Sequence, residues 1–273
     1  MNINILNMNH DYLTIVSIAG HSDGGESLPA IERSMNSLKG SKGLLISAIK
    51  PNSLPHGIEW VKILPLDYRL YSLFLMFSLH HFIKTEFCLI VQPDGWVINE
   101  KNWDEDFLNY DFIGAPCHAA FINNQFIQNY KWVANYSCDI KIIQNGGFSL
   151  RSKKLLESPS KFGALYHFTD IAVFQNEDVQ LTGIFRTQLE ELGVNFAPIS
   201  LAKKFSIEYA GPHFHDDVSF INLFGIHGKT RKLINKETIE ITCTEIEIEN
   251  IYREKELLEF LSDNLEYKII YKN

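Results

Sequence analysis

The sequence predicts an α/β fold on a largely parallel sheet, and three observations lead there. Apolar runs of strand length alternate with stretches of helical apolar spacing through the first third of the chain. One run, Leu89-Ile90-Val91, passes straight into Gln92-Pro93-Asp94-Gly95-Trp96. That puts a carboxylate at the C-terminal end of a buried strand, the edge where open α/β sheets bind ligands. The composition is that of an ordinary globular protein: 273 residues, 45% hydrophobic and 21% charged, enough to bury a large core without staples.

The elements follow in order. Leu13 to Ala19 is a first strand, ending in the polar turn Gly20-His21-Ser22-Asp23-Gly24-Gly25, and a helix runs from about Leu28 to Leu38. Gly43 to Ala48 is a second strand and Trp60 to Leu64 a short third. Tyr68 to Phe82 is a helix by its apolar spacing and feeds the strand Phe87 to Val91. This β-α-β-α-β order calls for right-handed crossovers and parallel strands. Trp103 to Leu108 reads as a short helix. Asp111 to Pro116 reads as a strand that stops at its proline, and 117–139 as irregular with a turn at Asn123-Asn124. A helix starting at Ser152 should end at Pro159. Glu177 to Leu192 is long enough for one helix, with Gly193 as its C-cap. Residues 202–227 read mostly as loop with short strands. Glu237 to Glu249 alternates as a half-exposed strand or hairpin, and Tyr252 to Leu265 is an amphipathic helix. No repeat or low-complexity linker appears. The expected organisation is a main domain over 1–232 and a C-terminal strand-helix extension over 233–273, packed on the same domain.

Charge and cysteines narrow the function. A net charge of −8 argues against nucleic acid as a partner. Cys88, Cys117, Cys138 and Cys243 are scattered without a CxxC pair, which suggests free thiols and no zinc site. Met1 to His10 lacks a basic region followed by an apolar core, and Leu70 to Leu79 is too short to span a bilayer. No signal peptide or transmembrane segment is expected, and the expected location is cytoplasmic.

Each chemical candidate has two readings. Asp94 either holds a divalent cation or caps a turn with Gly95. Asn145-Gly146-Gly147 either lets the backbone approach a ligand closely or makes a tight turn before a strand at Phe148 to Leu150. Glu177-Asp178 either supplies a general base or places acids in a first helical turn capped by Asn176. His213, His215, Asp216 and Asp217 either form a metal cluster, which would make a metal-dependent hydrolase, or lie on an exposed strand or loop. His227 is a ligand or an ordinary histidine. Lys203-Lys204 and Arg231-Lys232 are solvated charges or phosphate contacts. Trp96 and Trp103 stack on a sugar or fill the core.

The series Gln92-Pro93-Asp94-Gly95-Trp96, then NGGFSLRS from Asn145, then Asn176-Glu177-Asp178-Val179, then Phe224-Gly225-Ile226-His227-Gly228 resembles the domain of unknown function 5672 family, which looks like a GT-A glycosyltransferase family. The resemblance runs from about Leu66 to Gly228. The same order is similar to wider GT-A enzymes such as the β-1,4-galactosyltransferases and glycogenin-like proteins. It implies a GT-A (Rossmann-like) mixed sheet flanked by helices. The implied activity is transfer of a sugar from a nucleotide-sugar donor to a hydroxyl of a glycan or lipid-linked glycan.

Carried over by position, the resemblance places Asp178 as the catalytic base, with Glu177 beside it on the acceptor. Asp94 falls at the metal motif and His227 at the late metal ligand. Gly20, His21, Ser22, Tyr71, Ser72, Gln92, Pro93, Asp94 and Gly95 fall on the donor side. Trp96, Asn145, Gly146 and Gly147 fall near the sugars. The implied cofactor is a divalent cation, manganese or magnesium, held by a motif with a single acid, because Gln92 occupies the first acidic position. Leu73 stands where related sequences often carry an arginine. A base so placed fits inversion at the anomeric carbon. A lipid-linked acceptor would bring the protein to a membrane surface peripherally. A silent nucleotide-sugar binding module is the remaining alternative.

Overall fold

A computed structural model describes residues 9–122, 125–128, 140–164, 175–211 and 214–272. The expected turn at Asn123-Asn124, the segment 129–139 with Cys138, and His213 lie outside them. The strands are β1 (Leu13–Ala19), β2 (Lys42–Ser47), β3 (Ile58–Lys62), β4 (Phe87–Ile90), β5 (Gly95–Val97), β6 (Phe112–Ile122), β7 (Gln125–Gln128), β8 (Ile140–Ser152), β9 (Ser206–Ile207), β10 (Gly225–His227), β11 (Arg231–Asn235), β12 (Thr238–Ile241) and β13 (Lys268–Tyr271). The helices are α1 (Leu28–Ser37), α2 (Tyr68–Phe77), α3 (Lys153–Lys161), α4 (Glu177–Val179), α5 (Arg186–Glu191), α6 (Ile199–Phe205), α7 (Glu245–Asn250) and α8 (Glu254–Leu265).

The main sheet has the order β3-β2-β1-β4-β8-β6-β7. Its first four strands are parallel, as the alternating pattern requires, and the rest run antiparallel. The fold is therefore the α/β mixed sheet flanked by helices that was expected. β1 is buried at all but its last residue, which accounts for its unbroken apolar run. Asp67 caps α2 by accepting the Leu70 N–H at 2.8 Å. The described residues also form two small sheets, β5-β10-β9 and β11-β12-β13. Among the described residues no helix is long and apolar enough to cross a membrane.

Several expectations need correction. β6 does not stop at Pro116 but continues to Ile122 and pairs with β7. Pro116 falls where the β6–β8 register shifts, so its missing N–H interrupts no regular ladder. Asn145-Gly146-Gly147 is not a tight turn, because β8 runs through it. Gly114 pairs with Ser149 and Pro116 with Gln144, so residues 145–148 bulge out of the ladder. Pro159 lies inside α3, near its end, instead of stopping it. The single helix expected over Glu177 to Leu192 is divided by a π-helical turn, Gln180–Ile184, between α4 and α5. Gly193 does end it, at φ 78°. α6 occupies part of the expected loop. Glu237 to Glu249 is a strand only as far as Ile241. Thr244 and Glu247 then form a capping box that starts α7.

The principal core joins the N-terminal sheet to the C-terminal elements. Leu13, Ile15 and Leu89 belong to the same buried cluster as Ile239, Leu257, Leu261 and Tyr267.

Candidate active site

A cavity of about 220 Å³ lies beyond the C-terminal end of β4. Six parts of the chain reach it. Tyr71 and Ser72 come from α2, Gln92 and Asp94 from the segment after β4, Asn145 and Gly147 from the β8 bulge, Glu177 and Asp178 from α4, and His227 from β10. Acids 84 positions apart in sequence thus share one wall-to-wall space. Glu208, after β9, and Lys229, after β10, also line it.

Asp94, Gln92 and His227 form one group. The Asp94 Oδ1 lies 3.4 Å from His227 Nε2, and the Gln92 Oε1 lies 3.2 Å from the same nitrogen. Gln92 is held from its other end, donating its amide N–H to the Tyr71 hydroxyl at 2.9 Å. Burial alone would raise the Asp94 pKa, but the His227 hydrogen bond and charge outweigh it and lower the pKa. Burial alone would lower the His227 pKa, and Asp94, with Glu208, turns the balance upward. The β5–β10 pairing sets this geometry, with His227 opposite Gly95 and the Gly228 N–H donating to the Asp94 carbonyl at 2.9 Å. A carboxylate, an imidazole and an amide oxygen are a donor set that suits a divalent ion such as manganese. Among the described residues, no three His, Cys, Asp or Glu side chains form a cation site by themselves.

The glycine pair works through space. Neither Gly146 nor Gly147 has a positive φ. A Cβ on Gly147 would lie 2.2 Å from His227 Nε2 and 2.7 Å from Gln92 Oε1. A Cβ on Gly146 would lie 2.3 Å from Glu177 Oε1. The backbone has to pass directly over these groups, and only glycine lets it.

Glu177 and Asp178 divide their tasks. Arg151, fully buried, pairs with Glu177 at 2.7 Å and also donates to the Gly146 carbonyl at 3.2 Å and to Ser149 Oγ at 3.0 Å. Glu177 is thereby tied into the protein. Asp178 instead accepts two backbone N–H groups, from Gly146 at 2.9 Å and from Val179 at 2.7 Å. Burial, with the neighbouring Glu177 charge, pushes its pKa up to about 7 against the pull of those two donors. A carboxylate poised near neutrality is suited to take a proton from a hydroxyl.

Other expected residues stand elsewhere. Gly20 is covered by Leu66, whose N–H donates to its carbonyl at 2.9 Å, while His21 and Ser22 are exposed; none of the three lines the cavity. Pro93 accepts the Leu233 N–H at 2.8 Å through its carbonyl. Trp96 fills the core and does not line the cavity. It is fully buried, with its indole N–H donating to the Tyr267 hydroxyl at 3.1 Å. Trp103 packs edge-on against Phe107 and Phe224. Leu73 packs beside the cluster of Met76, Leu155 and Leu181.

The hydrolase cluster does not assemble among the described residues. His215 is buried and accepts the Gly211 N–H at Nδ1, 3.1 Å away. Asp217 pairs with Lys203 at 2.6 Å, and Asp216 accepts the Tyr252 hydroxyl. The sequence reading missed Glu208 and Lys229 and gave Arg151 no role. Lys229 stood two residues after a candidate histidine, and Arg151 lay inside the NGGFSLRS segment. Glu208 had no local signal.

Fold and site together define an α/β protein with an acid-lined cleft at the carboxyl end of its parallel strands. The profile of a family described as a protein of unknown function, DUF5672, matches residues 67–227, and the chain belongs to that family. No curated protein matches it. Among solved structures it is similar to the galactosyltransferase LgtC in complex with donor and acceptor sugar analogs, at 15% identity over 79% of this chain and 87% of that one, with a TM-score of 0.47. It is also similar to an active-site mutant of LgtC, at 15% identity over 90% and 95%, with a TM-score of 0.48.

Proposed function

We propose that this protein is a GT-A glycosyltransferase that moves a sugar from a nucleotide-sugar donor to a hydroxyl of a glycan or lipid-linked glycan, with inversion. The observation that carries the proposal is the convergence of Asp94, His227, Gly147 and Asp178 on one cavity. Asp178 accepts the acceptor hydroxyl's proton as that oxygen attacks the anomeric carbon. The bond from that carbon to the diphosphate breaks, and the diphosphate leaves with the electron pair. Asp94, His227 and Gln92 would hold a manganese or magnesium ion, which when bound neutralises charge on the diphosphate. Lys229 is the lysine of the cavity wall and adds positive charge on the same side. Glu177, committed to Arg151, fixes the helix end that carries the base.

The test is a thermal-shift panel of UDP-, GDP-, CMP- and dTDP-sugars with and without manganese. A ligand held only by the folded protein raises the melting temperature by mass action. One nucleotide class should do so, and more strongly with the metal. A melting temperature unmoved by every donor would reject the reading. Transfer should then be lost in Asp178→Asn while the donor-induced shift remains. Donor binding by the parent without transfer to any acceptor would instead indicate a binding module.

A further inference from the structure

Arg231 is fully buried yet does not line the cavity. Its Nε donates to Glu254 Oε1 at 3.0 Å, and its Nη2 donates to the Glu208 carbonyl at 2.8 Å and the His227 carbonyl at 3.3 Å. Both carbonyls belong to residues of the cavity wall. Glu254 is the first residue of α8, itself buried, and its Oε1 also accepts the Thr230 hydroxyl at 2.9 Å. Thr242, just after β12, holds the same loop from the other side. Its N–H donates to the Thr230 carbonyl at 3.0 Å, and its hydroxyl donates to the Lys229 carbonyl at 2.6 Å. The loop and β11 in turn support the metal-side residues, because Gly228 and Leu233 donate to the carbonyls of Asp94 and Pro93. Gly228 leaves room for this crossing: a Cβ there would lie 2.7 Å from Arg231 Nη2 and 2.8 Å from the Glu208 carbonyl oxygen.

This pair is badly arranged for stability alone. Arg231 Nη1 and Glu254 Oε2 are buried without a hydrogen-bond partner among the described residues. Buried ion pairs are often matched or bettered in stability by apolar side chains of similar volume. What apolar side chains cannot do is hold two carbonyls from separate segments at a fixed spacing. A guanidinium fork can.

We propose that the C-terminal extension completes the site by placing Glu254 against Arg231 of the main domain: Glu254 sets the guanidinium, and the guanidinium sets the backbone of Glu208 and His227. Arg231 is a positioning residue and touches no substrate. Both residues lie outside the segment that matches the family, 67–227, so the device is additional to the shared motifs. The inference rests on the transferase reading for its effect on turnover, and on geometry alone for its effect on His227.

The test uses the full chain and two variants, Arg231→Met/Glu254→Leu and Arg231→Lys. The first removes the pair without leaving a charge unpaired. The second keeps the charge opposite Glu254 but loses the fork. Histidine-labelled protein gives a ring signal for His227, assigned by its disappearance in His227→Gln. That signal should move in both variants, and transfer should fall by about 10- to 100-fold, the scale of a site displaced by an ångström or less. Melting of the double variant should stay close to that of the parent. An unmoved His227 signal in a folded variant overturns the proposal, as does turnover within about twofold of the parent. If the double variant fails to fold, Arg231→Lys decides the matter by the same two readouts. If the parent itself transfers no sugar, the transferase reading fails and the His227 signal still decides this one.

Discussion

At the scale of single residues, Asp178 and Gly147 carry the strongest consequences. The folded-state pKa of Asp178 is raised from 3.8 to about 7. The folded protein therefore keeps this proton over a range in which the unfolded chain has lost it. Stability contributed by the protonated form is present at the acid end and is lost as pH rises from about 4 to about 7. Transfer runs the opposite way, because the base must be free, and should rise through a pKa near 7. The expected result is a parent whose turnover climbs while its melting temperature falls across this window, relative to Asp178→Asn. A pH–rate profile of the parent beside melting curves of both proteins checks the pair of slopes. Gly147→Ala has a separate signature. The added methyl enters the space of His227 Nε2, so either the imidazole or β8 has to shift. Overpacking of this kind costs about 1–3 kcal/mol, and donor binding should be lost even where the fold survives. A calorimetric affinity equal to the parent's would show that the backbone does not need this closeness.

At the scale of elements, the link between β8 and α4 turns two separate motifs into one device. Arg151, six residues after Asn145 in the NGGFSLRS segment, anchors Glu177, and Gly146 anchors Asp178. Arg151→Met would leave the Glu177 carboxylate buried and unpaired. The expected loss is about 3–5 kcal/mol, read from urea denaturation, with much of it recovered when Glu177→Gln is added. A single-variant loss below about 1 kcal/mol, the scale of an exposed pair, would mean the two motifs are not coupled. The same elements mark how far the sequence could be read. β1, α1 and the start of α2 are legible because burial dictates an apolar period. Pro116 and Pro159 misled because a proline stops an element only where its N–H would be needed. At Pro116 the register is already shifted, and at Pro159 the helix is almost over. Glu237 to Glu249 misled because its alternation continues through the capping box of Thr244 and Glu247 that starts α7, where Ile246 is exposed.

At the scale of the whole molecule, convergence was legible only as an order of motifs. Asp94, Gly147, Asp178 and His227 sit on four different segments, and nothing local in any of them specifies the others. Glu208 shows the limit: it reaches the cavity only because β9 pairs with β10, a contact between segments that carry no signal of pairing. The extension after Lys232 is the remaining question of organisation, and we propose that it folds as part of one unit with the rest. Ile239, Ile241, Leu257, Leu258 and Leu261 lie in the cluster that also holds Leu13 and Leu89. Each such side chain contributes roughly 1.5–3 kcal/mol on burial, so the five together are comparable with the whole stability of a domain, about 5–15 kcal/mol. Truncation after Lys232 would also strand the Arg231 guanidinium in the interior without Glu254. The shortened chain should therefore lack a cooperative melting transition, and the full chain should melt in a single one, with calorimetric and van't Hoff enthalpies that agree. Two resolved transitions in the full chain, or a cooperative transition retained by the 1–232 fragment, would show instead that the extension is an independent unit resting on a core complete without it.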